Sequence, residues 1–447
     1  MRSDSAAVGR ISVSMAIASV GNTATVANRP ASTNTTAMAV VTTLFFMWGF
    51  LTCLNDILIP HLKSIFDLNY AQVMLVQLAF FLSYAVFAFP SGKLVEWIGY
   101  KRSMVVGLLV MAVGALCFIP AADVPSYPLF LGAEIVLAAG VTLLQVSANP
   151  FVSVLGPERT ASSRLNLTQA FNSLGTTIAP AVGGWLILSS APKTMEEVRA
   201  MSATALQQYR LTEAATVKTP YLFIAIALAA LAIAIALFKL PRIETTRDFR
   251  PAAGSKKDSI FNYPHLILGA VAIFLYVGAE VSIGSFLVNY FSHQEIGGMT
   301  EKAAANLVSF YWGGAMVGRF IGSAVLTKVR PNRALGVVAI VACMLVSISI
   351  LSFGHLAVWS ILSVGLFNSI MFPTIFTLGI AELGPLTGMG SGILVAAIVG
   401  GAILPYLEGR LADSIGIHHA FIIPAICYIY LAYYGFRGSR PSRTVTA

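Results

Sequence analysis

Long apolar runs follow one another along almost the whole chain. Of its 447 residues, 57% are apolar and 11% are charged, whereas about a quarter of the residues of a soluble domain are charged. A transmembrane helix needs about 20 predominantly apolar residues. We therefore predict an all-α, polytopic membrane protein with twelve spans, at 39–62, 71–91, 103–121, 128–153, 165–188, 220–239, 264–291, 303–326, 334–353, 355–380, 388–407 and 419–436.

The distribution of lysine and arginine predicts how these spans are oriented. An even number of spans places both termini on one side, and most of the 28 basic residues fall in the tails and the even-numbered loops. Loops rich in Lys and Arg stay in the cytoplasm. We therefore predict a multi-pass protein of the cell inner membrane with both termini cytoplasmic. The net charge of +9 then reflects topology, and we expect no nucleic-acid partner.

A polar linker divides the spans into two groups of six. We predict a cytoplasmic tail at 1–38, an amino-terminal half at 39–240, the linker at 241–262, a carboxyl-terminal half at 263–437 and a second cytoplasmic tail at 438–447. Cys53, Cys117, Cys343 and Cys427 all lie in apolar segments without the close spacing of zinc ligands or paired disulfides. We expect no cofactor, no metal site and no obligate protein partner. The surrounding lipid bilayer is the expected environment.

The two halves repeat each other at residues that bend helices. Three overlays keep the same helix order: Pro150 on Pro373 (which also pairs Gln145 with Asn368), Pro180 on Pro405, and Asp56 on Glu280. Parallel six-helix halves with interrupted helices are typical of alternating-access transporters, whose site lies between the halves near the bilayer midplane. Small residues also simply allow helices to pack closely in any membrane bundle.

Two neighbouring spans contain amides at helical spacing. Gln145 and Asn149 are four residues apart on span four, and Gln169 and Asn172 are three apart on span five, so each pair shares a helix face. An unpaired polar group in hydrocarbon costs roughly 2–7 kcal/mol, so these amides need partners. A sugar in a cavity between the halves would satisfy them, and interhelical amide bonds are the alternative.

Charged residues at membrane depth are scarce. Among the acids we place Asp56, Glu134 and Glu280 well inside spans, where a charge costs about 2.5–3.5 kcal/mol on insertion scales. A carboxyl group in a partly dry cavity can accept a proton near neutral pH. Glu134 is a candidate for a second titrating group, but its position favours a packed carboxylate at a helix end. Arg319, inside span eight, is predicted to act in gating or packing, with its long side chain extending either to the bilayer surface or to an acid.

The loop between spans two and three reads Gly92-Lys93-Leu94-Val95-Glu96-Trp97-Ile98-Gly99-Tyr100-Lys101-Arg102. It resembles a motif of the major facilitator superfamily, with Glu96 where Asp is usual. The resemblance implies that Gly92, Glu96, Gly99, Lys101 and Arg102 help to latch the halves when the inner gate is shut. An ordinary positive turn would explain the basic residues but not the spacing of Gly and Glu.

Five further motifs keep their order and spacing along the chain: Leu54-Asn55-Asp56-Ile57-Leu58, Ala148-Asn149-Pro150-Phe151-Val152, Leu155-Gly156-Pro157-Glu158, Arg164-Leu165-Asn166-Leu167 and Gln169-Ala170-Phe171-Asn172-Ser173. With them, most of the chain after residue 40 resembles the fucose:proton symporter family. This resemblance implies a proton-coupled monosaccharide transporter in which Asp56 binds the proton and Gln169 and Asn172 bind sugar. Trp48 also matches an aromatic of the family pattern, and we add Asn55, Asn149 and, by depth, Asn368 as candidate sugar ligands.

One position departs from the fucose branch of that family. The branch has a second acid where this chain has Gln145, which can bind a hydroxyl group but cannot take up a proton. The sequence therefore resembles more closely the glucose, galactose and N-acetylglucosamine branches. Glu280 is then the candidate for the missing acid, because the overlay places it at the depth of Asp56.

These observations predict a symporter for a monosaccharide, glucose or galactose in the first place, coupled to protons and working by alternating access. Sodium as the coupling ion, N-acetylglucosamine or fucose as the substrate, and passive facilitation remain alternatives. An intramembrane enzyme would need a nucleophile or metal motif, and neither His-Glu-x-x-His nor Gly-x-Ser-x-Gly occurs. A sugar sensor would need a sizeable soluble domain, and the predicted tails are too short for one.

Overall fold

The computed structural model is almost entirely helical in the residues that it describes. These are 32–66, 70–124, 126–187, 197, 200–241 and 259–441, without the side chains of 54–66, 70–74, 181, 183–187, 210 and 213–217. Most of the predicted tails and linker therefore lie outside the described residues. So do the side chains of Asn55 and Asp56.

The helices follow the order of the apolar runs. They are α1 (Thr35–Phe66), α2 (Tyr70–Ile98), α3 (Tyr100–Asp123), α4 (Tyr127–Val154), α5 (Ala161–Ile187), α6 (Ala203–Leu237), α7 (Pro264–Ser292), α8 (Glu301–Val325), α9 (Pro331–Leu351), α10 (Gly354–Asn368), α11 (Met371–Gly379), α12 (Thr387–Ala396), α13 (Gly400–Ile415), α14 (Ile417–Ala420) and α15 (Ile422–Tyr433). The tenth span consists of α10 and α11, the eleventh of α12 and α13, and the twelfth of α14 and α15.

Ten helical stretches of the described residues are long and apolar enough to cross a membrane by length and composition. Helices α5 and α8 are not among them, because polar residues such as Arg164, Gln169 and Asn172 on α5 and Arg319 on α8 lower their hydropathy. These two helices pack against each other between the halves. Their polar side chains can therefore face protein and a cavity rather than lipid.

The predicted sixth span, 220–239, agrees with the apolar stretch Lys218–Leu237, although the helix that contains it begins earlier, at Ala203. The tenth span is interrupted between α10 and α11, because Pro373 has no N–H with which to continue the helix. The eleventh span runs over Gly384–Ile415, well beyond the predicted 388–407, and so includes Glu408.

The halves meet closely at one end of the bundle, where α2 and α4 end and α5 begins. The Ser162 and Thr377 hydroxyl groups lie 2.6 Å apart, and the Ser163 hydroxyl donates to the Ser323 carbonyl oxygen at 2.7 Å. The Ser323 hydroxyl donates back to the Ser163 carbonyl oxygen at 3.2 Å. We call this end, defined by these four residues, the sealed end.

Candidate functional site

A cavity of about 170 Å³ lies between the two halves, above the sealed end. This is smaller than the roughly 300–1,000 Å³ typical of pockets for drug-sized ligands, and it suits a small ligand. Six of the candidate binding, coupling and gating residues predicted from the sequence line it, namely Trp48, Gln145, Gln169, Asn172, Glu280 and Arg319. The other lining residues are Tyr276, Val277, Phe372, Pro373 and Ile398.

One face of α5 leads from the sealed end to this cavity. Asn166, one turn beyond Ser162 and Ser163, donates through Nδ2 to the Arg319 carbonyl oxygen at 2.7 Å. The next positions on the same face are Gln169 and Asn172, which line the cavity. Spacing of three to four residues thus places hydroxyl groups in the seal and amides in the cavity.

The cavity amides are held through their N–H groups. Gln145 Nε2 donates to the Tyr84 hydroxyl at 3.0 Å, and Asn172 Nδ2 donates to the Phe45 carbonyl oxygen at 2.9 Å. Gln169 Nε2 lies 3.5 Å from the Asn149 side-chain oxygen. Within the described part of the chain no donor reaches the three amide oxygens, which leaves them as acceptors for a ligand hydroxyl group.

Trp48 brings an aromatic surface to the same cavity. Its ring packs edge-on against Phe45 at a centroid distance of 5.4 Å, which fixes its orientation, and only 6% of the residue is exposed. An indole presents a large apolar face beside a polar N–H. Together with the amides, this surface matches a ligand that has both hydroxyl groups and an apolar C–H face.

The charged side of the cavity comes from the carboxyl-terminal half. A terminal guanidinium nitrogen of Arg319 lies 4.0 Å from a carboxylate oxygen of Glu280, and another terminal nitrogen donates to the Ser173 hydroxyl of α5. Of the two directions expected for Arg319, the bilayer surface or an acid, the structure shows the second. Arg319 connects a carboxylate of its own half to the opposite half.

Prolines explain part of this geometry, because each one frees the carbonyl group four residues earlier. Pro373 frees the Ser369 carbonyl oxygen, which accepts from Arg319 Nε at 3.4 Å. Pro150 frees the Val146 carbonyl oxygen, which accepts from the Ser391 hydroxyl of the opposite half at 3.0 Å. The prolines that mark the internal repeat thus create acceptors for neighbouring helices.

Three of the singled-out polar residues lie away from the cavity wall. Asn149 is fully buried behind Gln169. Glu134 is buried nearer the start of α4. Asn368 is fully buried among tyrosines: its Nδ2 donates to the Tyr311 hydroxyl at 2.9 Å, and its Oδ1 accepts from the Tyr428 hydroxyl at 2.8 Å. Asn368 is therefore placed to hold the tyrosines near the cavity rather than to contact a ligand.

The loop motif packs in part against the opposite half. A Cβ atom added at Gly92 would lie 3.1 Å from the Gly388 carbonyl oxygen, and one added at Gly388 would lie 3.4 Å from Cγ of Glu96. Lys101 instead donates to the Ala236 carbonyl oxygen at 2.7 Å within its own half.

The remaining two motif residues differ in their surroundings. Gly99 has φ +83°, a conformation that favours glycine, and Arg102 is exposed. Close contact across the halves therefore involves Gly92 and Glu96, whereas the lysine of the motif binds within the amino-terminal half.

Tyr276 lines the cavity but was not among the residues predicted from the sequence. Its hydroxyl group donates to the Asn368 carbonyl oxygen at 3.0 Å. It lies four residues before Glu280 and hence on the same helix face. This four-residue spacing from Glu280 was the sequence signal by which Tyr276 could have been predicted.

Comparisons with known proteins agree with this architecture. The sequence profile of the Major Facilitator Superfamily matches residues 38–397. A "Glucose/galactose transporter" of Brucella abortus biovar 1 (strain 9-941) is 54% identical over 405 residues, which are 90% of this chain and 94% of that protein. An "L-fucose-proton symporter" of Escherichia coli (strain K12) is 37% identical over 395 residues, 87% of this chain and 90% of that one.

A solved structure of a Major Facilitator Superfamily transporter, FucP, in the outward conformation superposes with a TM-score of 0.82 at 36% identity. The match covers 89% of this chain and 97% of that one.

Proposed function

The chain belongs to the major facilitator superfamily and is a membrane-embedded transporter rather than an enzyme, and from this premise we propose that it imports a monosaccharide by proton-coupled symport. Glucose and galactose are the proposed substrates, since curated relatives at 54% and 42% identity are named glucose/galactose transporters or putative ones. The coupling ion is proposed by analogy with the relative named as an L-fucose-proton symporter.

The observation on which the substrate class rests is the convergence of amides and an indole in one small cavity. Gln145, Gln169 and Asn172 present oxygens that can accept from sugar hydroxyl groups, and Trp48 offers a face for the C–H side of a pyranose ring. A neutral ligand that forms hydrogen bonds with buried neutral groups does not incur the desolvation penalty of a charged ligand. A neutral polyol fits the amide and indole side of this lining better than an ionic solute.

The closed contacts at the sealed end support alternating access. The distribution of basic residues predicts that this end faces the cytoplasm, and we propose on that basis that the conformation described is closed towards the cytoplasm. Neutral hydrogen bonds such as the one between Ser162 and Thr377 separate at modest cost, about 0.5–1.5 kcal/mol each. A rocking motion of the halves can therefore break them and open the cavity inward.

We assign coupling to Asp56 and Glu280. Glu280 faces Arg319, and Arg319 binds Ser173 of the other half. A proton on Glu280 neutralises its carboxylate and weakens its attraction for the guanidinium, which links protonation to the contact between the halves. Asp56 lies on α1, whose Trp48 contacts the same cavity.

The test is transport by the purified protein in sealed liposomes. Labelled glucose, galactose, N-acetylglucosamine and fucose are offered under an imposed pH gradient and then under a sodium gradient. We expect accumulation of glucose or galactose with the pH gradient only. Accumulation driven by sodium, or equilibration without accumulation, would replace the proposal by sodium symport or facilitation.

Asp56→Asn serves as the coupling control in the same liposomes. We expect it to lose accumulation against a gradient while sugar exchange across the membrane continues, because the amide cannot take up the proton. Concentrative uptake at the normal rate by this variant would remove Asp56 from the coupling mechanism.

A further inference from the structure

A second buried carboxyl group of the carboxyl-terminal half lies away from the cavity. Glu408 lies on α13, about two turns before its end at Ile415, on the side away from the sealed end. It is 0% exposed. It does not line the cavity, so the proposed sugar and coupling sites do not use it.

Glu408 faces α7 in a regular ladder of contacts. One turn earlier on both helices, the Leu404 side chain fills the space left by Gly278, and beyond the carboxyl group Phe286 lies 3.3 Å from where a Cβ of Gly409 would be. At the level between them the Ser282 hydroxyl group faces the Glu408 carboxyl group. The residues that surround it leave little room for water.

The neighbours of Glu408 provide no compensating positive charge. Neither carboxylate oxygen has a partner with hydrogen-bonding geometry, and the Ser282 hydroxyl has none either. In the described part of the chain, the titratable groups close enough to sense its charge are Tyr311 on α8 and Cys427 on α15. No lysine, arginine or histidine of the described residues forms an ion pair with it.

An ionised carboxylate in these surroundings would be buried, unpaired and poorly hydrated, and such a group neutralises itself instead. A hard metal cation would need about six oxygen ligands, whereas Ser282 is the hydroxyl that faces the carboxyl group. A proton needs no further ligand. It also turns one carboxyl oxygen into a donor for the Ser282 hydroxyl.

We propose that Glu408 is a proton-binding site, separate from the cavity, whose proton holds α7 against the eleventh span. A proton bound in the folded protein but not in the unfolded chain makes stability fall as the pH rises. Alkaline conditions therefore loosen this contact. Acidic and neutral conditions maintain it.

The position of Glu408 connects this proton to the cavity through buried side chains. Tyr311, which senses its charge, donates to the Glu280 carbonyl oxygen at 3.4 Å and accepts from Asn368. Tyr428, next to Cys427 in the chain, donates to Asn368. A change at Glu408 thus reaches the helix that holds Glu280.

The first test is infrared spectroscopy of the full-length protein in lipid at neutral pH. We expect the wild-type minus Glu408→Gln difference spectrum to contain the C=O stretching band of a protonated carboxyl group. Glu280→Gln should retain this band, since it belongs to another residue. A difference spectrum without a protonated-carboxyl band would overturn the proposal, whatever the outcome of the transport assays.

A pH titration of the same samples provides the second test. The band should disappear at alkaline pH together with a fall in Tm that Glu408→Gln does not show. Parallel curves for the two proteins would contradict the proposal. If Glu408→Gln does not fold, Ser282→Ala replaces it. We expect the protonated-carboxyl band of Glu408 to lie at a different frequency in Ser282→Ala than in the wild type. An unshifted band would contradict the proposed contact between Glu408 and Ser282.

Discussion

Arg319 and Glu280 face each other across 4.0 Å at the wall of the central cavity, while the same guanidinium donates to Ser173 of the opposite half and to the Ser369 carbonyl oxygen. One arginine therefore joins an acid of its own half, a proline-broken helix and the facing half. A change in the charge of Glu280 can thus alter the contact between the halves directly.

A double-mutant cycle measures this pair. Arg319→Gln leaves the Glu280 carboxylate buried without its cation, and we expect a loss of roughly 3–5 kcal/mol in the free energy of unfolding. Glu280→Gln combined with Arg319→Gln should recover part of this loss, with a coupling energy of about 0.5–3 kcal/mol. Thermal unfolding of the four proteins in lipid gives both values.

The matched control is the more exposed ion pair of Lys218 with Asp123. Lys218→Gln should change stability by less than about 1 kcal/mol, since exposed ion pairs contribute little. Strictly additive effects of the two cavity substitutions would contradict the proposed interaction of Glu280 with Arg319.

Removal of a cavity amide should weaken sugar binding more than it weakens the fold. For Gln169→Ala and Asn172→Ala we expect KM for the transported sugar to rise about two- to tenfold each, which corresponds to one hydrogen bond of about 0.5–1.5 kcal/mol. Initial uptake rates over a range of sugar concentrations check this. Asn332→Ala, at the start of α9, is the control, and equal KM values in all three variants would exclude the two amides from binding.

Close approach of the halves at Gly92 should be required for the conformation described. A leucine there would collide with the Gly388 carbonyl oxygen, since a Cβ alone would lie 3.1 Å away. We expect Gly92→Leu to fold but to lose at least tenfold in uptake, because the sealed end cannot close. Gly132 is exposed and has open space around it, so the control Gly132→Leu should transport normally. Equal uptake by both variants would contradict the requirement for close approach at Gly92.

The tyrosine cluster around Asn368 should depend on the amide. Asn368→Ala removes the acceptor of the Tyr428 hydroxyl and the donor to the Tyr311 hydroxyl, and each unsatisfied buried group costs about 1–3 kcal/mol. We expect a lower Tm. Adding Tyr428→Phe to Asn368→Ala should restore part of it, because one unsatisfied hydroxyl group is removed; a further fall in Tm would contradict this account.

Local sequence patterns were sufficient for the transmembrane architecture and for much of the cavity. Apolar runs identify helices because backbone groups in lipid must be paired within a segment. Spacing of three to four residues puts Gln169 and Asn172 on one face, and repeated prolines mark where carbonyl groups are freed. Those rules depend on neighbours in the chain, which the sequence displays directly.

Contacts between distant segments were decided by the tertiary structure alone. Hydropathy ended the eleventh span before Glu408, because a run that contains Pro405, Glu408 and Arg410 looks polar whichever way its side chains point. The direction of Arg319 depends on Ser173 and Ser369, far away in the chain. Local sequence specifies which segments are helices and which faces are polar. Packing specifies which polar groups meet, because hydrogen bonds and ion pairs depend on distances of a few ångström between helices.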